Sequence, residues 1–279
     1  MTVLNTSDGT DLFVQDWTVE DPIAAVALFH GWGEHAARYA HVAKAFAAHR
    51  IALVGADLRG HGRSSGDRGY IDRFSDYYLD ATAIFEKAQS VVPGGPTFVF
   101  AHSMGGLLAF DWMLSGFERA PAGMVVSSPF MEVAVPVGLV KEKVGRLASK
   151  IAPKLALPTG LQGSDVTRDP ELARLYDTDP LNLKKATARW FTECEQAQAR
   201  VRARIGKLST PLLLLYGGSD RAVQPDATER LARDLTMSDK TVERLDGHYH
   251  ELVNEPPEVR EPIIERMAEW IAKRATNQG

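Results

Sequence analysis

One serine lies in a sequence pattern that is typical of a reactive nucleophile. The apolar run Thr97 to Ala101 is followed by His102, Ser103 and Met104, and then by two glycines and a helical pattern. A buried strand that runs through a sharp turn into a helix exposes a serine hydroxyl for attack, as in a nucleophile elbow. Ala101 stands where such elbows usually have a glycine. Alternatively, Ser103 only caps the helix, because serine is also common at helix N-termini.

A nucleophilic serine needs a base, and the base needs a carboxylate that orients it. In a strand–turn–helix site of this kind the expected chain order is serine, acid, histidine. Only two of the eight histidines, His248 and His250, follow Ser103, and they lie in a loop after the last predicted strand. The candidate acid is Asp220, since it follows the predicted strand that ends at Tyr216. Each assignment has a simpler alternative, a solvated loop histidine or a turn aspartate.

Attack on a carbonyl also requires two preorganised N–H groups that stabilise the oxyanion. We expect the first from Met104, the residue directly after the serine. The second should come from the loop His30 to His35, which follows another apolar run. We choose Trp32, because a glycine on each side lets its backbone turn toward the site. We expect His30 to brace this loop, and its last two residues to begin the next helix.

These candidates all follow predicted strands, so the fold must bring the strand ends together. Unbroken apolar runs suit strands buried on both faces of a parallel sheet. They occur at 24–29, 51–55, 97–101, 124–126 and 211–216, with a weaker alternating run at 241–245. Helical patterns occur at 36–49, 74–91, 104–116, 225–235 and 257–274. The alternation predicts an α/β fold, a mostly parallel sheet flanked by helices, with the ligand site at the carboxyl ends of the strands.

The segment from Phe130 to Lys207 interrupts this alternation. It has no convincing strand for the sheet, and prolines and glycines break it up. Two sets of apolar residues recur in it at helical spacing. They are Val140, Val144, Leu147 and Ile151, and then Trp190, Cys194, Ala197, Val201 and Ile205. We expect residues 130–207, the cap segment, to form a helical cap inserted between strands of a core made of 1–129 and 208–279.

The composition excludes several other classes of protein. The chain has 279 residues and a formal net charge of −4, so it lacks the basic surface of a nucleic-acid-binding protein. Its single cysteine, Cys194, allows no intrachain disulfide and no thiolate zinc cluster. No apolar run reaches the roughly 18 residues of a membrane span. The N-terminus has no secretory-signal pattern, and these features together favour the cytoplasm.

Four segments together resemble the monoacylglycerol lipase group of the α/β-hydrolases. They are the loop His30–His35 (HGWGEH), Asp57–Ser64 (DLRGHGRS), His102–Gly106 (HSMGG) and Tyr249–Glu255 (YHELVNE). The resemblance extends from about residue 5 to 272 and includes Tyr176–Leu181 of the cap segment. Each motif alone is modest, but four in the same order and at the same spacing are specific for the fold.

The resemblance implies a serine carboxylester hydrolase that needs no metal or organic cofactor. Ser103 would be the nucleophile, Asp220 the acid and His250 the base, because the family's histidine precedes the glutamate of a His-Glu pair. Trp32 and Met104 would donate to the oxyanion. The substrate would be a monoacylglycerol, cleaved to fatty acid and glycerol through an acyl-enzyme. Trp32 is bulkier than the residue common at its place, which suggests an aromatic-lined pocket mouth.

The resemblance also implies a cap that contacts lipid or a membrane surface. Between Gly138 and Gly160 the cap segment has a net charge of +4 in a chain of net charge −4. The charged residues are Lys141, Lys143, Arg146, Lys150 and Lys154, against Glu142. A basic amphipathic helix can lie on anionic lipid, so we expect peripheral membrane contact. The alternative is a solvated face over a packed one.

Other functions remain open at this point. Lysophospholipids and small soluble esters could use the same three residues, because specificity lies in the cap segment. A non-hydrolytic binding protein with this fold is a third hypothesis, and the intact serine, acid and histidine positions argue against it. Fold alone does not exclude C–C bond or peptide chemistry. Epoxide and haloalkane hydrolysis would require an aspartate in place of Ser103.

Overall fold

A computed structural model describes residues 2–134, 145 and 147–276. Much of the first predicted cap helix lies outside these residues, including Val140, Lys141, Glu142, Lys143, Val144 and Arg146. The end of that stretch, 147–151, is helical. Leu147 and Ile151 are 58% and 74% exposed, so this end of the predicted apolar face is not packed against the described residues.

Eight strands form one sheet and two short strands form another. The strands are β1 Val3–Asn5, β2 Asp11–Trp17, β3 Ala24–Phe29, β4 Ile51–Ala56, β5 Thr97–His102, β6 Met124–Ser127, β7 Ala156–Pro158, β8 Lys185–Thr187, β9 Leu212–Gly217 and β10 Lys240–Leu245. The large sheet has the order β1-β2-β4-β3-β5-β6-β9-β10. The pairs that join β1, β2 and β4 are antiparallel, and all other pairs in that sheet are parallel. The predicted α/β-hydrolase architecture is confirmed.

Helices cover both faces of the large sheet. They are α1 Ala40–Ala48, α2 Asp76–Val91, α3 Met104–Leu114, α6 Ala188–Arg204, α7 Pro225–Asp234 and α8 Pro257–Thr276, whereas the short helices α4 Gly163–Val166 and α5 Pro170–Thr178 lie in the cap segment. The apolar side chains of α1 and α8 pack on one face, and those of α2, α3, α6 and α7 belong to the core on the other. Every residue of β3, β4, β5 and β9 is buried. Two-sided burial explains why these strands appear in the sequence as unbroken apolar runs.

The cap segment contains strands as well as helices. β7 and β8 pair antiparallel with each other and not with the large sheet. The expectation of an entirely helical insertion is therefore wrong in this detail. Three-residue strands are too short to show a period-two pattern, and Pro158 lies at the end of one of them. The second predicted helix is present as α6, and Cys194 is buried in the core as a packing residue.

Hydrogen bonds join the cap segment to loops at the carboxyl ends of the strands. Leu183 N–H donates to the carbonyl of Gly33 at 2.8 Å, and the Thr187 hydroxyl donates to the carbonyl of Gly69 at 2.8 Å. On the opposite side, Glu251 N–H donates to the carbonyl of Val166 at 2.8 Å. The cap segment is thus fixed to three separate loops of the core, those after β3, β4 and β10. None of the helices in the described part is both long and apolar enough to cross a bilayer.

Candidate active site

The elbow around Ser103 has the backbone that the sequence pattern predicts. Ser103 lies between β5 and α3 with φ 52° and ψ −115°. A Cβ atom on Gly105 would lie 2.0 Å from the carbonyl oxygen of Phe29, so only glycine fits there. Ala101 pairs with Phe29 in the ladder and is completely buried. The elbow therefore accommodates the alanine that replaces its usual first glycine.

The structure brings the three candidate polar side chains into one hydrogen-bonded chain. Ser103 Oγ lies 2.9 Å from His250 Nε2, and His250 Nδ1 lies 2.6 Å from Asp220 Oδ2. The second oxygen of Asp220 accepts the N–H groups of Ala222 and Val223 at 2.8 and 2.9 Å. These two bonds fix the carboxylate plane, so the imidazole is oriented before any substrate arrives. Residue types and spacing could not choose between the two late histidines, but the geometry does.

His248 lies outside this chain. Its Nδ1 is 2.8 Å from the carbonyl oxygen of Asp246, within the same exposed turn. His250, in contrast, has a side chain that is only 6% exposed. The sequence alternative of a solvated loop histidine is therefore the correct description of His248.

The environment of His250 favours its protonated form. Burial lowers the pKa of His250, but the adjacent Asp220 carboxylate outweighs burial, and the net pKa is raised above the ordinary 6.5. The neighbouring His102 behaves oppositely. Burial and the nearby His250 lower the pKa of His102 to about 4, so His102 is neutral at pH 7. The two rings lie 4.8 Å apart, and only His250 is poised to carry a proton near neutral pH.

The loop that should supply the second oxyanion donor is held by polar side chains. Glu34 Oε1 accepts the N–H of Gly31 at 2.6 Å and the hydroxyl of Tyr39 at 2.7 Å. His30 Nδ1 donates to the carbonyl of Gly31 at 2.7 Å, while its Nε2 accepts the N–H of Leu58 at 2.8 Å. His30 therefore braces the loop, as expected. Since this arrangement requires a neutral ring, the lowering of the pKa of His30 by burial supports it.

The last two residues of this loop lead into the next helix, as expected, because His35 directly precedes the 3₁₀ helix Ala36–Tyr39. Glu34 turns back onto its own loop, and His35 makes no side-chain bond to the helix start. Instead, His35 Nε2 lies 2.9 Å from Asp179 Oδ2 at the end of α5, in the cap segment. The side chains of Glu34 and His35 therefore do not bind the N–H groups of the first helical turn. They bind their own loop and the cap segment instead.

Trp32 forms part of the wall above the serine. Its indole packs against that of Trp190 from α6, with ring centroids 5.1 Å apart, and Trp190 stacks on Phe130 at 6.0 Å. Met104 is the first residue of α3, and the first N–H groups of a helix have no intrahelical acceptor. The sequence expectation of an aromatic-lined pocket mouth agrees with this cluster.

A cavity of about 750 Å³ opens over Ser103 and His250. Most of its lining residues belong to the cap segment and are apolar; examples are Val133, Ala148, Leu155, Leu157, Leu161 and Phe191. This volume lies within the range of small-molecule sites, which are usually apolar with a few polar groups. The cavity can therefore receive a substrate with a long apolar part.

One cluster of buried charges beside the cavity was not found from the sequence. Arg38 lies between Glu34 and Glu251: its Nη1 donates to Glu34 Oε2 at 2.6 Å, and both its amino groups donate to Glu251 at 2.7–2.8 Å. Both carboxylates line the cavity with Tyr176, whose ring lies 5.4 Å from the Arg38 guanidinium. The only sequence signal was the i,i+4 spacing of Glu34 and Arg38.

Both carboxylates in this cluster are ionised. Burial alone raises the pKa of Glu34, but Arg38 and the nearby histidines lower it to about 2. The pKa of Glu251 is likewise lowered, because Arg38 outweighs burial. Two carboxylates and one guanidinium give this part of the cavity wall a net charge of −1.

The glycine-rich loop after β4 is structural. Asp57 accepts the N–H groups of Ala36 and Arg63 at 2.9 and 2.8 Å. Burial, together with neighbouring His30, lowers the pKa of His61 to about 3, so this ring is neutral. Asp57 therefore holds this loop together with His61, whose Nδ1 lies 3.0 Å from the carbonyl oxygen of Arg59.

Comparisons with known proteins agree with this geometry. Residues 20–257 match the model of the serine aminopeptidase S33 family (Hydrolase_4). The chain belongs to this family. It is a serine hydrolase with the α/β-hydrolase fold.

Several relatives of this S33-family chain have named activities. It is 32% identical to the monoacylglycerol lipase of Mycolicibacterium smegmatis over 94% of this chain and 93% of the relative. It is 28% identical to the phospholipase YtpA of Bacillus subtilis, over 86% of this chain and 92% of the relative. It is also 32% identical to an abhydrolase domain-containing protein of Dictyostelium discoideum, but it spans only 29% of that protein's length. Among solved structures, the monoacylglycerol lipase of Paleococcus ferrophilus superposes with a TM-score of 0.84 at 26% identity, covering 94% of this chain and 99% of that chain.

The raised pKa of His250 predicts the pH dependence of hydrolysis. If His250 must be neutral to accept a proton, kcat/KM falls as the pH drops through that pKa, with a midpoint above 6.5. In Asp220→Asn the midpoint should move to lower pH, because the strongest interaction that raises the pKa of His250 is lost while burial still lowers it, and kcat should fall by about 10⁴-fold. The measurement is kcat/KM between pH 5 and 9, and a flat profile from pH 8 to 5 would contradict the role of His250.

Arg38 should be required for stability. Arg38→Met leaves Glu34 and Glu251 buried without their partner, which should lower the free energy of unfolding by about 3–5 kcal/mol. A matched control is Arg230→Met, since Arg230 pairs with Glu132 at 2.6 Å where both side chains are about half exposed. That change should cost less than about 1 kcal/mol. Urea denaturation of both variants measures the difference, and equal losses would show that the buried cluster has no special role.

Proposed function

We propose that this protein hydrolyses monoacylglycerols to a fatty acid and glycerol through an acyl-enzyme. The observation that carries this proposal is the Ser103–His250–Asp220 chain at the base of an apolar cavity. The monoacylglycerol lipases among its relatives support the substrate class.

The proposed reaction has two halves that share one base. Ser103 Oγ attacks the ester carbonyl carbon while His250 Nε2 takes the hydroxyl proton, and Asp220 stabilises the imidazolium. The tetrahedral intermediate then expels the alcohol oxygen, which receives that proton from His250. In the second half His250 takes a proton from water, the hydroxide attacks the acyl carbon, and the fatty acid leaves as Ser103 regains its proton.

The oxyanion of each tetrahedral intermediate would be bound by the N–H groups of Trp32 and Met104. Such donors typically contribute about 3–4 kcal/mol each to the transition state. Gly31 N–H donates to Glu34, and the Gly33 carbonyl accepts Leu183 N–H, so these two bonds flank Trp32 on both sides. The donor is thus preorganised by the loop itself and by the cap segment.

The charge of one part of the cavity wall, around Glu34 and Glu251, favours a neutral alcohol over a phosphate ester. Glu34 and Glu251 offer carboxylate oxygens that can accept hydrogen bonds from the free hydroxyls of glycerol. The net negative charge of this part of the wall would repel a phosphate placed against it, although the cavity lining also contains the positive Arg221. A monoacylglycerol therefore suits this part of the wall better than a lysophospholipid does.

A lysophospholipase or an esterase of small esters remains the alternative function, and the phospholipase relative favours the former. Both would use the same three residues and the same mechanism. They differ from the first proposal in the alcohol that leaves, or in the length of the acyl group that the cavity holds.

We also propose that the cap segment contacts lipid. In the described part, five of the six exposed large hydrophobic side chains lie between Leu147 and Leu175; the sixth is Val3. Leu155 and Leu157 among them also line the cavity, so an acyl chain could pass from a lipid surface to the serine. Basic charge supports this contact less than the sequence suggested, because Lys154 pairs with Asp67 at 2.5 Å.

Fatty-acid release tests the proposed function directly. The wild type should release fatty acid from a monoacylglycerol, and Ser103→Ala should reduce release at least about 10³-fold, because the nucleophile is lost. Ser128→Ala, another buried serine in the described part, serves as the control and should retain activity. No release by the wild type would defeat the lipase proposal and leave only the fold and family standing.

The alcohol preference can be measured at a fixed acyl chain. We expect kcat/KM for a lauroyl monoacylglycerol to exceed that for lauroyl lysophosphatidic acid by at least about tenfold at low salt, with the gap narrowing as salt screens the repulsion. Equal or faster cleavage of the lysophospholipid would instead favour the phospholipase alternative.

Vesicle flotation tests the lipid contact. The double variant Ile151→Ser, Leu157→Ser should reduce binding to vesicles of phosphatidylcholine and phosphatidylglycerol by at least about tenfold, because each change removes exposed apolar surface. Val3→Ser removes a similarly exposed side chain outside the cap segment and should bind as the wild type does. Wild-type protein that stays unbound at low salt would refute this contact.

A further inference from the structure

Glu255 is a charged side chain that the mechanism above does not use, although it lies completely inside the protein. It follows the short 3₁₀ turn Leu252–Asn254 and precedes α8, and its exposure is 0%. A carboxylate is almost never fully buried unless it is paired, because loss of hydration is costly. Its partners therefore indicate what it does.

The two oxygens of Glu255 bind two different parts of the molecule. Oε1 accepts the backbone N–H of Tyr249 at 2.6 Å. Oε2 accepts the side-chain Nε and the backbone N–H of Arg168 at 3.0 and 3.2 Å. Tyr249 directly precedes His250, whereas Arg168 belongs to the cap segment, between α4 and α5. One carboxylate thus connects the loop of the base to the cap segment.

The loop of His250 is fixed elsewhere by close backbone packing. A Cβ atom on Gly217 would lie only 2.5 Å from the carbonyl oxygen of His248 and 2.3 Å from that of Tyr249. The loop therefore packs directly on the end of β9. Ser219 N–H donates to the carbonyl of His248 at 3.0 Å. These contacts hold the loop on the side of the sheet, and Glu255 holds the N–H of Tyr249, one residue before the imidazole.

We propose that Glu255 is a positioning residue for His250. One of its oxygens accepts the N–H of Tyr249, and the other accepts two N–H groups of Arg168. The carboxylate therefore fixes the position of the imidazole relative to Ser103 and Asp220. Through Arg168, that position also depends on the cap segment. This inference rests on the role of His250 as the base in the proposed function. Glu255 does not touch the substrate, and it acts only through the loop.

Only a carboxylate can make both connections at this point. Glutamine has nearly the same shape, but it presents one acceptor and one donor. Its amide group would therefore face either Tyr249 N–H or the donors of Arg168 with N–H groups of its own. The loop would then shift to relieve an unpaired buried donor. Displacements of about 1 Å can reduce catalysis by about 100-fold without loss of binding.

The test compares Glu255→Gln with Glu261→Gln, an exposed residue of α8 that carries the same chemical change. We expect Glu255→Gln to lower kcat by about 10–100-fold while KM changes by less than about threefold, and Glu261→Gln to match the wild type. Proton NMR gives a readout that needs no substrate. The downfield signal expected for the His250 Nδ1 proton bound to Asp220 should shift or broaden in Glu255→Gln only.

A second variant covers the case in which Glu255→Gln does not fold. Arg168→Gln leaves the carboxylate and the Arg168 backbone N–H in place, and should lower kcat by about 3–10-fold with the same NMR change. Normal kcat and an unchanged downfield signal in either folded variant would overturn the proposal, as would a lower melting temperature without a change in kcat. An inactive wild type with the expected NMR difference would instead defeat the proposed function and leave the positioning role intact.

Discussion

Ser103 is held in a backbone conformation that side-chain-bearing residues rarely adopt, and the rest of the site depends on this constraint. A residue at φ 52° and ψ −115° costs about 1–3 kcal/mol and persists only where its surroundings fix it. Here Ser103 N–H donates to Ser127 at 3.0 Å, and Phe130 N–H donates to the Ser103 carbonyl at 2.9 Å. The central strands therefore supply the rigidity that holds the hydroxyl at the edge of the sheet.

The cap segment completes the site from the other side. It touches the loop of Trp32 through Leu183 and Trp190, and the loop of His250 through Val166 and Arg168. The same segment forms most of the cavity wall. The cap segment thus supports the apolar cavity, one expected oxyanion donor and the expected base. A movement of the cap segment would therefore alter both substrate binding and the geometry of the reaction.

The fold could be predicted because its strands are buried on both faces, which leaves unbroken apolar runs in the sequence. The positions of Ser103, Asp220 and His250 followed from the order of strands and loops, although the choice of His250 over His248 needed the family resemblance. The cluster of Glu34, Arg38 and Glu251 could not be predicted in the same way. Glu34 and Arg38 are close in sequence, but Glu251 joins them from more than 200 residues away, and local spacing carries no signal for that contact. The strands β7 and β8 were missed because three residues are too few to show periodicity.

The most direct test of this account is to trap the acyl-enzyme. Asp220→Asn should slow both halves of the reaction, so a monoacylglycerol mixed with this variant and quenched in acid can be analysed by mass spectrometry of its peptides. The account predicts that the mass of one acyl group appears on the peptide containing Ser103, and that it is absent in Ser103→Ala. An acyl group on another residue, or fatty-acid release by the wild type with no covalent species at any time, would contradict it.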